Sequence, residues 1–129
     1  MTTVYQGVRI PPLSGGQGWY CALVEAIRMP GEESPFFEEE DRDSALAVLW
    51  ICLSAASPAE AEVQLSEHLA ECGAFAGNIE HVTRIASAAD LPVDSDGAPD
   101  AALLEAFRDP DLGDEIVWGE VYLFTEDGR

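Results

Sequence analysis

The fold is decided by residues 46–73, LAVLWICLSAASPAEAEVQLSEHLAECG. The first half of this stretch is ambiguous, because an apolar run typical of a buried strand also contains residues at helical spacing. These are Leu46, Leu49, Leu53 and Ala56. Residues 57–60 supply a Ser N-cap, a Pro at the first helical position and a Glu three residues after the cap. Since a helix ending at Ala56 would have to begin again at once, we predict a strand at 46–54 and a helix from residue 58; the alternative is a helix over 44–56.

The helix predicted at 58–72 has one apolar side and one acidic side. We expect the apolar side to be buried; it comprises Ala61, Leu65, Leu69 and Cys72. We expect the acidic side to face solvent; it comprises Glu60, Glu67 and Glu71. Gly73 follows as a suitable C-terminal cap.

The first thirty residues have the pattern of a β-hairpin. Alternation over residues 4–10 predicts a short strand that stops at Pro11 and Pro12, because proline donates no ladder hydrogen bond. The turn-rich SGGQG at 14–18 precedes a second strand at 19–29, although residues 22–29 alone would also suit a helix. We therefore predict an antiparallel hairpin across residues 3–29.

The second half of the chain predicts two further strands and a helix. Alternation over 79–85 indicates a strand preceded by a turn at Gly77 and Asn78. A short helix at about 99–107 would present Leu103, Leu104 and Phe107 to the core. A terminal strand is marked by Ile116, Trp118, Val121, Leu123 and Phe124, and Asp127 and Gly128 end it.

This order of elements predicts an α+β fold in one domain spanning residues 1–129. A chain of 129 residues is the usual size for a single domain. We expect a single, mostly antiparallel sheet of 4–5 strands with two helices packed on one face. The specific prediction is a ferredoxin-like or split βαβ arrangement of residues 45–124.

The charge of the chain restricts its partners. It contains 25 Asp and Glu against 6 basic residues, all Arg, for a formal net charge of -19. Direct nucleic-acid binding is disfavoured, because phosphate binding requires clustered Lys and Arg. Three explanations for the acidity stay open: a salt-adapted host proteome, a general solubility bias, or a surface that matches a basic partner protein.

Catalytic and metal-binding patterns are weak. His68 and Cys72 share one helix side and His81 follows, yet the paired spacing of zinc sites is missing. Cys21, Cys52 and Cys72 have no paired spacing, so we expect reduced thiols, with Cys52 buried and inert. Residues 94–97 resemble the start of a calcium loop but do not continue as one. We predict no enzyme activity, no cofactor and no resident metal.

The acidic residues themselves are the best candidates for a binding site. Dense acids at 32–43 and a row on the helix could imitate nucleic-acid phosphates or cover a cationic toxin site, with two phenylalanines as apolar anchors. The predicted partner-binding residues are Glu32, Glu33, Phe36, Phe37, Glu38, Glu39, Glu40, Asp41, Asp43, Glu60, Glu67 and Glu71. The alternative is a solvated acidic surface with no partner.

These patterns predict a non-catalytic inhibitor that occludes the basic, nucleic-acid-binding surface of a partner protein. Phage anti-CRISPR and anti-restriction DNA mimics belong to this class. The alternatives are an immunity protein that neutralises a cationic toxin, and an ordinary domain from a salt-adapted cytoplasm. Residues 1–10 have no basic segment followed by an apolar run, and no apolar stretch approaches a membrane span, so we expect a cytoplasmic protein.

Overall fold

The computed structural model describes residues 7–11, 13, 15–29, 44–93, 97–109, 112 and 116–125. Within them the α-helices are α1 (Pro58–Glu71) and α2 (Ala101–Phe107), and a short 3₁₀ helix spans Ala88–Asp90. The strands are β1 (Gly18–Arg28), β2 (Ser44–Ala55), β3 (Ala74–Ile85), β4 (Val117–Trp118) and β5 (Tyr122–Thr125). None of the helices in these segments is long and apolar enough to cross a membrane.

All five strands belong to one antiparallel sheet. Its order is β3-β1-β2-β4, and β5 pairs with β2 further along the same edge as β4. The strand predicted at 46–54 is confirmed as part of β2, and the predicted α+β class is confirmed as well. β2 reads as one continuous apolar run because both of its faces are covered near its centre: Leu49 and Ile51 lie in one core cluster and Cys52 in the other.

Helix α1 forms as its sequence predicts. The Ser57 side chain accepts a hydrogen bond from the Glu60 backbone N–H at 3.2 Å, while the Glu60 carboxylate accepts the N–H of Ala56 at 2.8 Å. The helix ends before Gly73, whose φ of 74° lies in the left-handed region that glycine adopts without strain. Ala61, Leu65 and Leu69 are buried, each leucine contributing about 1.5–3 kcal/mol, whereas Cys72 is only half-buried.

The path from β2 through α1 to β3 is a split βαβ unit. Strand β1 lies between β2 and β3 and is antiparallel to both, so β2 and β3 are parallel to each other. The splitting strand therefore comes from residues 18–28, outside the range 45–124 in which this arrangement was predicted.

The two helices pack on opposite faces of the sheet, so the prediction that both share one face is wrong. Tyr20, Ala22 and Val24 of β1 lie in the cluster that contains α1. The alternating positions Trp19 and Cys21 lie in the cluster that contains α2. Trp19 contacts Phe107 of α2 edge to face, with ring centroids 5.4 Å apart. Adjacent strand residues point to opposite faces, so a central strand with apolar residues at successive positions needs a cover on each side.

The predicted hairpin across residues 3–29 is also wrong. Both edges of β1 are taken by β2 and β3, which leaves no edge for residues 4–10. The described part of that segment runs instead beside α2, where the N–H of Arg9 donates to the carbonyl of Phe107 at 3.0 Å. The Trp19 indole donates to the carbonyl of Pro11 at 3.0 Å. The rest of the predicted strand, residues 4–6, lies outside the described residues.

Strand β3 is longer than predicted and irregular. It contains Gly77 and Asn78, which the sequence placed in a turn. Its pairing with β1 shifts register twice, so Ile79 and Val82, three residues apart, both pack on the α1 side. His81, within the shift between Glu80 and Thr83, has a φ of 56°. These bulges interrupt the regular alternation of side chains between the two faces, which is the pattern that predicts a strand only at 79–85.

The C-terminal elements match the prediction except for one break. Leu103, Leu104 and Phe107 of α2 are buried as expected. The predicted terminal strand divides into β4 and β5, because residues 119–121 leave the ladder. Asp100 accepts the N–H of Glu120 within this break. Asp127 and Gly128 lie outside the described residues.

Candidate functional site

On the α2 side of the sheet, the described residues outside the strands cover only part of the surface. Register places ten side chains there beyond the part that α2 covers, and we call them the open face: Leu23, Glu25, Ile27, Leu46, Val48, Trp50, Phe75, Glu80, Tyr122 and Phe124. Each pairs across strands with another member, as Leu23 does with Trp50 and with Glu80. Directly opposite residues of antiparallel strands point to the same face.

The open face is apolar at its centre and partly exposed. Ile27, Phe75 and Tyr122 are 40%, 53% and 58% exposed. Leu23, Val48 and Phe124 are half-buried and belong to neither core cluster. Single exposed apolar residues are ordinary, but a contiguous group bordered by charge is typical of an interaction surface.

Two glutamates lie among these apolar residues. Glu80 is exposed beside Leu23. Glu25 is half-buried, and its carboxylate accepts the N–H of Asn78 at 3.0 Å across the irregular edge of β3. Glu25 is therefore partly engaged by backbone, while Glu80 is the freer carboxylate for a partner.

A groove borders the open face at Trp50 and Tyr122. Its volume is about 470 Å³, and it is lined by Trp50, Pro92, Val93, Ala98, Pro99, Asp100, Ala101, Glu120 and Tyr122. This lining combines an indole, a phenol and two carboxylates with proline and aliphatic walls. Ligand sites of this size commonly have an apolar lining with a few placed polar groups.

Asp100 fixes the wall of this groove. As the N-cap of α2, its Oδ1 accepts the N–H of Ala102 at 2.9 Å and of Leu103 at 3.1 Å. Both carboxylate oxygens also face the N–H of Glu120, at 3.2 and 3.0 Å. One side chain thus joins the start of α2 to the connection between β4 and β5.

Gly119 makes that junction possible. A Cβ at this position would lie 2.7 Å from the Asp100 Oδ2, closer than carbon and oxygen can pack. The Gly119 N–H donates to the carbonyl of Trp50 at 2.7 Å, which brings the same connection against β2. The backbone position of Glu120 is therefore set by Asp100 and Gly119 together.

Trp50 lies between the covered and open halves. It packs against the α2-side core cluster, and its ring centroid is 6.3 Å from that of His81. These contacts restrain the indole where it lines the groove. Of the described arginines, Arg9 and Arg108 line a second groove and Arg84 lines a third. The groove beside Trp50 contains none of the described arginines.

Of the residues predicted as a partner site, the three that the structure describes do not lie at this location. Glu60, Glu67 and Glu71 are exposed on α1, which covers the other face of the sheet. Glu60 is also used locally, since it accepts from Ala56 and from Gln64. Nine predicted residues lie outside the described part of the chain: Glu32, Glu33, Phe36, Phe37, Glu38, Glu39, Glu40, Asp41 and Asp43.

His68 and Cys72 form a neutral cluster with Trp118. The Trp118 indole donates to His68 Nε2 at 2.9 Å, so this nitrogen acts as an acceptor, and the Cys72 sulfur lies 3.8 Å from it. Burial lowers the pKa of the His68 imidazole, and Glu71 offsets part of that effect. His81 lies across the sheet beside Trp50. The described segments contain no group of three or more His, Cys, Asp and Glu that could hold a metal ion.

Cys21 and Cys52 are directly opposite each other in β1 and β2. Both thiols are buried, and their sulfurs are 2.7 Å apart. Burial, with smaller contributions from Cys21 and Asp100, raises the pKa of the Cys52 thiol well above its ordinary value. The spacing of these two cysteines in the sequence does not predict that they are neighbours. Their proximity follows from the register of β1 with β2.

Sequence reasoning missed Trp50, Tyr122, Asp100 and Glu120 as a group. They come from β2, β5 and two connections, so no local motif unites them. Comparison of the chain with protein-family models, curated proteins and solved structures finds no match.

Proposed function

We propose that this protein is a non-catalytic, acidic binding protein that acts in the cytoplasm and occludes a basic, nucleic-acid-binding surface of a partner protein. Inhibitors of the anti-CRISPR or anti-restriction type work in this way. The observation that carries the proposal is the open face, where exposed aromatic and aliphatic side chains lie among carboxylates on a chain of net charge -19.

The open face supplies apolar and aromatic anchors, which charged residues alone do not provide. Carboxylates steer a basic partner and speed association, but exposed ion pairs add little affinity. Most binding free energy comes from a few desolvated anchors, commonly Trp, Tyr and Arg. Tyr122 and Phe75 can provide such anchors, with Glu80 and Glu120 as the charged border.

Among the described residues, exposed acids lie on both sides of the sheet. The row of Glu67 and Glu71 lies on α1, beyond the opposite face of the sheet. One flat partner surface cannot contact both sides of a sheet at once. We assign the partner to the open face, since it combines acids with exposed aromatic residues.

Matched variants test this assignment in a pull-down from lysate of the source cells at about 0.15 M salt. The open-face variant carries Tyr122→Ser, Glu80→Gln and Glu120→Gln. The control variant carries Val63→Ser, Glu62→Gln and Glu67→Gln on α1; Val63 is 57% exposed, which matches Tyr122 at 58%. Both variants remove two charges and one exposed apolar side chain.

The expected result is capture of a basic nucleic-acid-binding protein by the wild type and the control variant, and loss of capture by the open-face variant. Added nucleic acid should compete for the partner, and higher salt should release it. Equal capture by both variants would contradict the assignment. A captured partner that nucleic acid does not displace would contradict the mimic and favour the immunity-protein alternative.

A third variant tests the acid-rich segment predicted from the sequence. Glu38, Glu39, Glu40 and Asp41 are replaced by Lys, which reverses their charge. We expect weaker and slower capture than with the wild type, because these acids add to the field that steers a basic partner. Unchanged association kinetics would remove this segment from the proposed interface.

A further inference from the structure

We infer that the groove at Trp50 and Tyr122 binds the guanidinium group of an arginine side chain; as a description of the partner, this rests on the proposed function. The inference starts from the lining, which places an indole, a phenol and the carboxylates of Asp100 and Glu120 around one volume of about 470 Å³. Aromatic faces and carboxylates attract the same class of ligand, a cation.

The carboxylate of Asp100 is preorganised for binding a cation. Three backbone N–H groups hold its carboxylate, so the charge is positioned before any ligand arrives. Among the described residues, the N–H of Glu120 is the only donor to Oδ2. A carboxylate oxygen can accept more than one hydrogen bond, so Oδ2 can also accept from a bound cation.

The second carboxylate is placed by the same junction. The backbone of Glu120 is held by Asp100 and by the close approach of Gly119. The exposed residue Glu120 also lines the groove. The two carboxylates therefore border one opening and exclude phosphate and other anions from it.

Arginine suits this lining better than lysine. Its planar guanidinium is weakly hydrated, stacks on aromatic rings and donates several hydrogen bonds in one plane. A lysine ammonium is a compact, strongly hydrated charge that gains less from Trp50 and Tyr122. The volume exceeds that of one guanidinium, so it can also hold the stem of the arginine and a neighbouring residue of the partner.

The test uses three short peptides that differ at one position, acetyl-Gly-Arg-Gly-amide and its Lys and citrulline counterparts. Citrulline has nearly the shape of arginine without the charge. Each is titrated into the full chain labelled with ¹⁵N, and the Trp50 indole N–H and the backbone N–H groups of Glu120 and Tyr122 are followed. We expect saturable shifts with the Arg peptide, binding about threefold weaker with Lys, and none with citrulline.

Two variants locate the effect. Glu120→Gln should weaken the binding of the Arg peptide about two- to fivefold, whereas Glu62→Gln, on the exposed side of α1, should leave it unchanged. Equal binding of the Lys or citrulline peptide would overturn the inference, as would shifts centred on Glu67 and Glu71 of α1.

Failure of this inference is distinguishable from failure of the proposed function. Capture through the open face, combined with an Arg peptide that leaves the groove unperturbed, overturns the arginine site alone. Arginine-selective binding in the groove, combined with equal capture by the two matched variants, overturns the proposed function alone.

Discussion

The two faces of the sheet differ in how completely the described residues cover them. On one face α1 covers a continuous layer in which Val24, Leu49, Ile51 and Leu65 are all buried. On the other, among the described residues, α2 with Val8, Ile10 and Leu13 covers the part around Trp19 and Cys21, and the open face continues beyond them. The first face therefore serves stability, whereas we propose that the second divides its residues between stability and contact with a partner.

The largest predicted difference between the two faces is in the free energy of unfolding, when one buried and one exposed side chain are each replaced by alanine. Leu49→Ala should lower the free energy of unfolding by about 2–5 kcal/mol, because it leaves a cavity under α1. Tyr122→Ala should change it by only about 0.5 kcal/mol, since Tyr122 is 58% exposed. Urea unfolding measures both. Similar losses would mean that the open face contributes to the core.

The next largest effect concerns the junction that shapes the groove. Gly119→Ala should cost about 1–3 kcal/mol, because its methyl group would meet the Asp100 carboxylate at 2.7 Å. The cost should shrink when Asp100→Ala is also present, since the clashing group is then gone. A double-mutant cycle measures this coupling. Additive losses would show that Asp100 and Gly119 are not in contact.

The smallest predicted effect is a pH dependence on the α1 side. Burial lowers the folded-state pKa of His68, so the unfolded chain binds its proton first as pH falls. Stability contributed by neutral His68 is complete above the ordinary histidine pKa of 6.5 and is lost below it as pH falls toward the folded-state pKa. Urea unfolding at several pH values should show the advantage of the wild type over His68→Gln decreasing below pH 6.5. A constant difference would contradict this.

The same cluster makes a spectroscopic prediction. Because the Trp118 indole donates to His68 Nε2, neutral His68 should carry its proton on Nδ1. Nitrogen chemical shifts of a ¹⁵N-labelled imidazole distinguish the two tautomers. A protonated Nε2 at neutral pH would contradict the hydrogen bond.

The sequence predicts β2 and α1 well because their signals are local. The cap at Ser57, the apolar positions of the helix and Gly73 are all within one short stretch. No local sequence signal determines the face of the sheet on which each helix packs. A central strand with apolar residues at successive positions can be covered by a helix on either face. The hairpin prediction failed for the same reason, because the alternation of residues 4–10 contains no information about which strands occupy the edges of β1.

The candidate site was harder to predict than the fold. Trp50 reads as one more residue of an apolar run, and Tyr122 as one more of a terminal strand. Asp100 and Glu120 are two of 25 acids. Only the register of β2 with β5 and the hydrogen bonds of Asp100 bring the four together.

Hydrogen exchange of the complex with the captured partner tests the central claim most directly. Amides of residues 97–101 and 119–122, which border the groove, should exchange more slowly in the complex, while the exposed side of α1 should be unchanged. Slower exchange confined to α1, with the groove unaffected, would contradict the assignment of the partner to the open face.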